Sequence, residues 1–202
     1  MAETSLKGLE RHQRKMDEIL TRFEHPALSE SRAAVKQLAN YAHPEAVPLL
    51  IQVFKKVHHR DLVAASLTAL GKTRSPEAVD TLIEGLSHDR WEVRQSAAEA
   101  LDRNSNAKAI PGLLKALEDE VYPVMGGAVS ALLTIGRSRK VAGEKEYARE
   151  VAALRTIAPH FPKKGEPVVL AAKLKSLYQR ALEGRLPKGS AKEIIEGELA
   201  SE

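Results

Sequence analysis

Residues 88–119, HDRWEVRQSAAEALDRNSNAKAIPGLLKALED, belong to a pattern that recurs every 31 or 32 residues, and this periodicity limits the possible folds more than any other feature of the chain. Ala69, Leu70, Val79, Leu82, Ile83 and Leu86 stand 31 residues before Ala100, Leu101, Ile110, Leu113, Leu114 and Leu117. One unit earlier, offset by 32, lie Leu38, Val47, Leu50, Ile51 and Phe54, and PEAV occurs at both 44–47 and 76–79. One unit later come Ala128, Val129, Ala131 and Leu132. Within a unit the apolar residues form two helical stripes. Val93, Ala97, Ala100 and Leu101 make one; Ile110, Leu113, Leu114 and Leu117 make the other. Turn-forming residues separate them, and Pro44 and Pro76 suit a first helical turn, where the missing N–H has no partner to lose. A hairpin of this length cannot bury its own apolar face, so neighbours must stack. The expected fold is all-α, an α-solenoid of about four helical hairpins.

Composition agrees. Aromatic residues are only 4% of the 202, and the apolar content is mostly Ala, Leu and Val, which favours helices over strands. The absence of cysteine excludes disulfides, thiolate nucleophiles and Cys-ligated zinc. The first twenty residues lack the apolar stretch of a secretion signal, and no later run is long enough to span a bilayer, so the expected location is cytoplasmic, away from membranes.

The repeats resemble the HEAT-like repeats of the phycobilisome-lyase (PBS lyase) type over about residues 28–136. The resemblance rests on Asp89, Val93, Arg94, Ala97, Ala98, Ala100 and Leu101, followed by AIPGLLKAL. In the outer units the Arg94 position is taken by Val63 and Met125, a departure from the pattern. The resemblance implies a helical binding platform. The family's name adds a second implication, an accessory role in attaching a chromophore or cofactor.

Charge divides the chain further. Residues 28–119 carry twelve basic and twelve acidic side chains, whereas residues 120–190 carry thirteen basic against six acidic. The expected organisation is an N-terminal capping helix in 1–27, repeats in 28–136, a basic helical extension in 137–187 and a short terminal helix or frayed tail in 188–202. Leu9, Met16, Ile19, Leu20 and Phe23 form the stripe by which the first helix would cover Leu49 and Val53. In the extension, Tyr147, Val151 and Leu154, then Leu170, Leu174, Leu177 and Tyr178, mark two more helices.

The basic excess points to docking of an acidic protein surface by Arg137, Arg139, Lys140, Lys163, Lys164, Lys173 and Arg180. A second candidate surface is the column Arg60, Trp91 and Tyr122, spaced by 31, with Arg90, Lys55, Lys56, His58 and His59 nearby. Aromatic residues at such spacing more often pack over a helix end. Gly126 and Gly127 inside a helix admit a close approach, either by the helix expected at 145–158 or by a partner's backbone. Arg94 is placed for an ion pair with Asp61 or Asp89.

No His-Glu pair, phosphate-binding glycine loop or nucleophile with a positioned base occurs. The expectation is a chain that is not an enzyme and holds no metal or cofactor. It would act as a scaffold or adaptor for a protein partner. Nucleic acid is the lesser alternative, because the outward second-helix positions Asp80, Glu84 and Lys115 mix their charges.

Because each stripe contributes to a shared core, Leu101→Ala and Leu114→Ala are each expected to cost about 2 to 5 kcal/mol of unfolding free energy. Urea unfolding measures this, and wild-type stability in both variants would remove the stacked-hairpin fold.

Overall fold

The computed structural model describes residues 2–24, 27–138, 152, 175–180 and 183–185. Its helices are α1 (Ala2–Phe23), α2 (Leu28–Ala39), α3 (Val47–Lys56), α4 (Arg60–Thr73), α5 (Val79–Gly85), α6 (Trp91–Asn104), α7 (Ile110–Ala116) and α8 (Tyr122–Arg137). No strand occurs among the described residues. The fold class is the all-α solenoid. Residues 1–104 and 105–202 form two compact units.

The expected turns have a specific form. α3, α5 and α7 are each entered through a short 3-10 turn, Pro44–Ala46, Pro76–Ala78 and Ala107–Ala109. Pro44 and Pro76 open the first two of these turns. Ser75 and Asn106 cap the second and third by accepting from the backbone N–H of Glu77 and Lys108, at 3.2 and 2.9 Å. Arg74 and Ser105 precede these turns with left-handed backbones, φ 53° and 58°.

In the first unit α4 lies between α2 and α6, and these three helices form one layer. α3 packs against α4 and α5 against α6, forming a second layer. Between the layers Leu38, Leu50, Leu67, Leu70, Leu82 and Leu101 are fully buried. α1 packs chiefly on α2 and also meets the Pro44–Ala46 turn and α3. It buries Met16 and Ile19, and Leu49 and Val53 of α3 are buried; Leu9 stays exposed.

Polar contacts tie successive helices. Lys72 Nζ on α4 donates to the carbonyl of Ala39 at 2.9 Å and to Asn40 Oδ1 at 2.6 Å, closing the carboxyl end of α2. Asn104 at the end of α6 donates to the Ser75 carbonyl at 2.9 Å. Arg94 binds its own helix's approach, donating to the carbonyls of His88 and Asp89 at 3.0 Å each.

In the second unit α7 packs on α8, with Ile110, Leu113, Val124, Ala128 and Leu132 buried. Leu114 is only half-buried, because its position in the stripe lies on the flank of α7, so its truncation belongs at the low end of the expected cost. Residues 175–180 are helical, with Leu177 and Tyr178 buried, and Lys175 pairs with Glu118. Of the helix expected at 145–158 only Ala152 is described, as helical and exposed, and residues 170–174 lie outside the described residues.

α4 and α6 approach closely backbone to backbone at Gly71. A Cβ on Gly71 of α4 would stand 2.5 Å from Ala100 Cα and 2.6 Å from Ala100 Cβ on α6. Replacing an interior helical glycine by alanine ordinarily gains about 1 kcal/mol. Here the added methyl meets backbone, so Gly71→Ala is expected to lose about 1 to 3 kcal/mol, as overpacking does. Urea unfolding decides the sign, and a gain in stability would show that α4 and α6 do not approach so closely.

Candidate functional site

The basic side chains that the sequence scatters over 55–90 converge on one cleft of about 380 Å³ in the first unit. Lys55 reaches it from the end of α3, His58 and Arg60 from the turn into α4, and His88 and Arg90 from the turn into α6. These turns converge because successive units are in register. His59 and His88 play matching local roles, each accepting through Nδ1 from the backbone N–H two residues on, Asp61 at 3.3 Å and Arg90 at 3.1 Å. Glu84 and Asp89 also line the cleft, so its cationic character is a surplus over two carboxylates.

Arg60 is oriented by two acids. Its Nε donates to Asp61 at 2.8 Å and its Nη1 to Glu92 at 2.8 Å, which links the amino-terminal ends of α4 and α6. The Asp61 hydrogen bond, then the Asp61 and Glu92 charges, push the guanidinium's pKa further up. Trp91 begins α6 and is 41% exposed, so part of its indole still faces solvent.

The other expected site residues are spread out. Tyr122, at the start of α8, is 49% exposed in the second unit. Arg137 is exposed at the end of α8, and Arg180 is half-buried in the 175–180 helical segment. Gly126 and Gly127 are half-buried within α8. Arg139, Lys140, Lys163, Lys164 and Lys173 lie outside the described residues. Glu84 and His88 were not expected in a site. Their signal is positional: both fall where one unit's second helix turns toward the next, 29 and 30 residues after Lys55 and His58.

Among the described residues no group of three His, Asp or Glu side chains could hold a metal, and no helix is long and apolar enough to cross a membrane.

With this geometry in place, comparison with known proteins gives two findings. The profile of HEAT repeats matches residues 16–102 and 79–158. The phycocyanobilin lyase subunit alpha of Synechococcus elongatus (strain ATCC 33912 / PCC 7942 / FACHB-805) is 37% identical over 81 residues, which are 37% of this chain and 30% of that protein. The match thus spans under a third of the relative's length.

The second finding corrects the expectation that the chain is not an enzyme, since the similar protein is a lyase. Sequence motifs mark only chemistry in which the protein supplies a nucleophile, a metal or a phosphate loop. An enzyme that works by holding two reactants in register needs none of these.

Trp91 is the chain's single tryptophan, so its fluorescence reports on this edge alone. Arg60 and Arg90 concentrate anions beside it. The iodide quenching constant is therefore expected to fall about twofold in the double variant Arg60→Ala, Arg90→Ala, with neutral acrylamide quenching unchanged. Equal iodide quenching of variant and wild type would remove the cationic edge.

Proposed function

The chain belongs to the family of HEAT-repeat proteins, and from that premise we propose that it docks an acidic protein partner along the edge containing Lys55, His58, Arg60 and Arg90, as a platform for chromophore attachment. The carrying observation is the convergence of these four basic side chains on one cleft, with Trp91 exposed next to it in the chain. Exposed tryptophan beside arginine is the composition of an interface anchor, and a charged rim of one sign steers and orients an oppositely charged partner.

The basic segment of the second unit is a separate candidate surface for the same kind of partner. Arg137, Arg139, Lys140, Lys163, Lys164, Lys173 and Arg180 extend the same preference for an acidic partner. Nucleic acid fits less well, because Glu84 and Asp89 line the cleft and would repel a phosphate track.

The role in chromophore attachment is favoured by the similarity to a phycocyanobilin lyase subunit. A repeat surface serves such a reaction by holding the acceptor protein and the bilin in reactive geometry. Orientation of this kind replaces a chance encounter by an intramolecular one and accounts for large rate factors without a nucleophile on the platform.

Both parts are open to test. The double reversal Lys55→Glu, Arg90→Glu is expected to lower partner recovery from native lysate by about tenfold, with helical circular dichroism unchanged. Undiminished recovery would move the docking surface to the Arg137 region. In a second assay the chain is co-expressed with phycocyanobilin and candidate acceptor apoproteins, and covalent bilin is read by absorbance after denaturation. Absence of any chain-dependent adduct on every acceptor would dispose of the attachment role.

A further inference from the structure

A second groove, of about 570 Å³, lies between α1 and the turn that follows α2, away from the cleft described above. Its wall contains Arg11, Arg14 and Lys15 against the single acid Glu18, together with His12, Tyr41 and His43. His12 is 3% exposed, and among the described residues only Ser66 and Thr81 are other buried polar side chains. Ser66 is satisfied within its own helix, donating to the Val63 carbonyl at 2.7 Å. A histidine in the apolar stripe of α1 is a different matter. A leucine there would cover α2 without the cost of burying a titratable ring.

Both nitrogens of that ring are engaged. Nε2 is 3.1 Å from Glu45 Oε2 and Nδ1 is 2.7 Å from the Tyr41 hydroxyl. A carboxylate only accepts, so in the neutral ring Nε2–H donates to Glu45 and Nδ1 accepts the Tyr41 O–H. Space is kept for the carboxylate. A Cβ on Gly8, one helical turn before His12, would stand 3.1 Å from Glu45 Oε2. The Tyr41 phenol is pushed up in pKa by burial, against the pull of Arg11 and Lys15, and so keeps its hydrogen at neutral pH.

Protonation of His12 reverses one of these bonds. Nδ1–H then donates to the Tyr41 oxygen, and the hydroxyl hydrogen is released to donate elsewhere. We propose that this groove binds a small planar aromatic carboxylate, and that protonation of His12 turns the Tyr41 hydroxyl from the imidazole to the ligand's carboxylate. The planar part is received by half-buried Tyr41 and exposed His43, His12 being buried beside them. Tyr41 and His43 stand edge-on at 4.8 Å, and His12 lies 5.1 Å from His43 and 5.8 Å from Tyr41. The charge is received by Arg11, with Arg14 and Lys15 contributing to the field while tethered to the Glu10 carbonyl and Glu18.

The sign of the pH effect follows. The groups around His12 are Arg11, Arg14, Lys15 and Glu18 on α1, Tyr41 and His43 in the turn, and Glu45 beyond it. Arginine and lysine stay charged across the range where histidine titrates, and an aromatic carboxylate stays ionised above about pH 5. Binding therefore tightens as pH falls and takes up one proton, a dependence that His43 could imitate by its charge alone.

Titration calorimetry of naphthoate into the intact chain, at about pH 8 and about pH 5.5 and in two buffers of different ionisation enthalpy, tests this. The wild type is expected to bind about tenfold more tightly at the lower pH with proton uptake. Tyr41→Phe should lose most of the tightening and keep the binding at higher pH, whereas His43→Gln should keep both. Inorganic phosphate should bind more weakly than naphthoate. Should Tyr41→Phe disturb folding, Glu45→Gln, which removes the carboxylate facing His12 Nε2, is expected to reduce the tightening with Tyr41 intact. No wild-type binding, full tightening in Tyr41→Phe or in a folded Glu45→Gln, loss of tightening in His43→Gln, or phosphate binding as well as naphthoate would each overturn the proposal.

Discussion

Between α4 and α6 there is no room for a methyl group at residue 71, and the first unit is organised around that contact. Helices whose backbones touch must present small residues to each other, which is why Ala65, Ala69, Ala97 and Ala100 are buried in this layer while the leucines fill the space toward the second layer. Gly85 repeats the theme at the end of α5, where a Cβ would stand 3.0 Å from both Ala97 Cβ and Leu67 Cδ1. Close packing of this kind fixes the register of successive units. Register in turn brings the turns before α4 and α6 side by side, and the basic cleft is a consequence of that juxtaposition rather than of any single motif.

The repeat made the helices, their order and most of the core legible without coordinates, because a stripe repeated at 31 residues has few other ways to be buried. Leu101 and Leu113 are fully buried, as the stripes require. What the pattern could not supply was the depth at its flanks, hence half-buried Leu114. Nor did it explain Gly71, whose counterpart one unit on is Asp102, since a close approach depends on a neighbour that the stripe does not identify. His12 is a different omission. The stripe of Leu9, Met16 and Ile19 runs through position 12, so burial of the histidine was readable, but its partners Tyr41 and Glu45 lie 29 and 33 residues away in a turn whose path local pattern does not give.

For the sites, charge counting identified which residue types to follow. Three-dimensional arrangement decided which of them meet. Lys55, His58, Arg60 and Arg90 come together although the 28–119 segment is neutral as a whole: Asp61 and Glu92 aim Arg60, Glu84 and Asp89 offset part of the cleft's charge, and the other acids lie elsewhere. A neutral average therefore conceals a patterned surface. Catalytic motifs are silent here for a related reason: they mark reactive groups, whereas a repeat platform offers positions.

Lys72 shows how far the units have ceased to be copies of one another. It reaches back to Asn40, and in the alignment of the two units offset by 32 residues Asn40 is the position that Lys72 itself occupies one unit later. A tandem duplication of the α4–α5 unit would thus set the second copy's ammonium against that of the first, where an amide oxygen now receives it. The chain already meets that juxtaposition one unit further on, where Arg103 takes the place of Lys72 and donates instead within its own helix, to the Glu99 carbonyl at 3.1 Å, so the seam between units changes along the array.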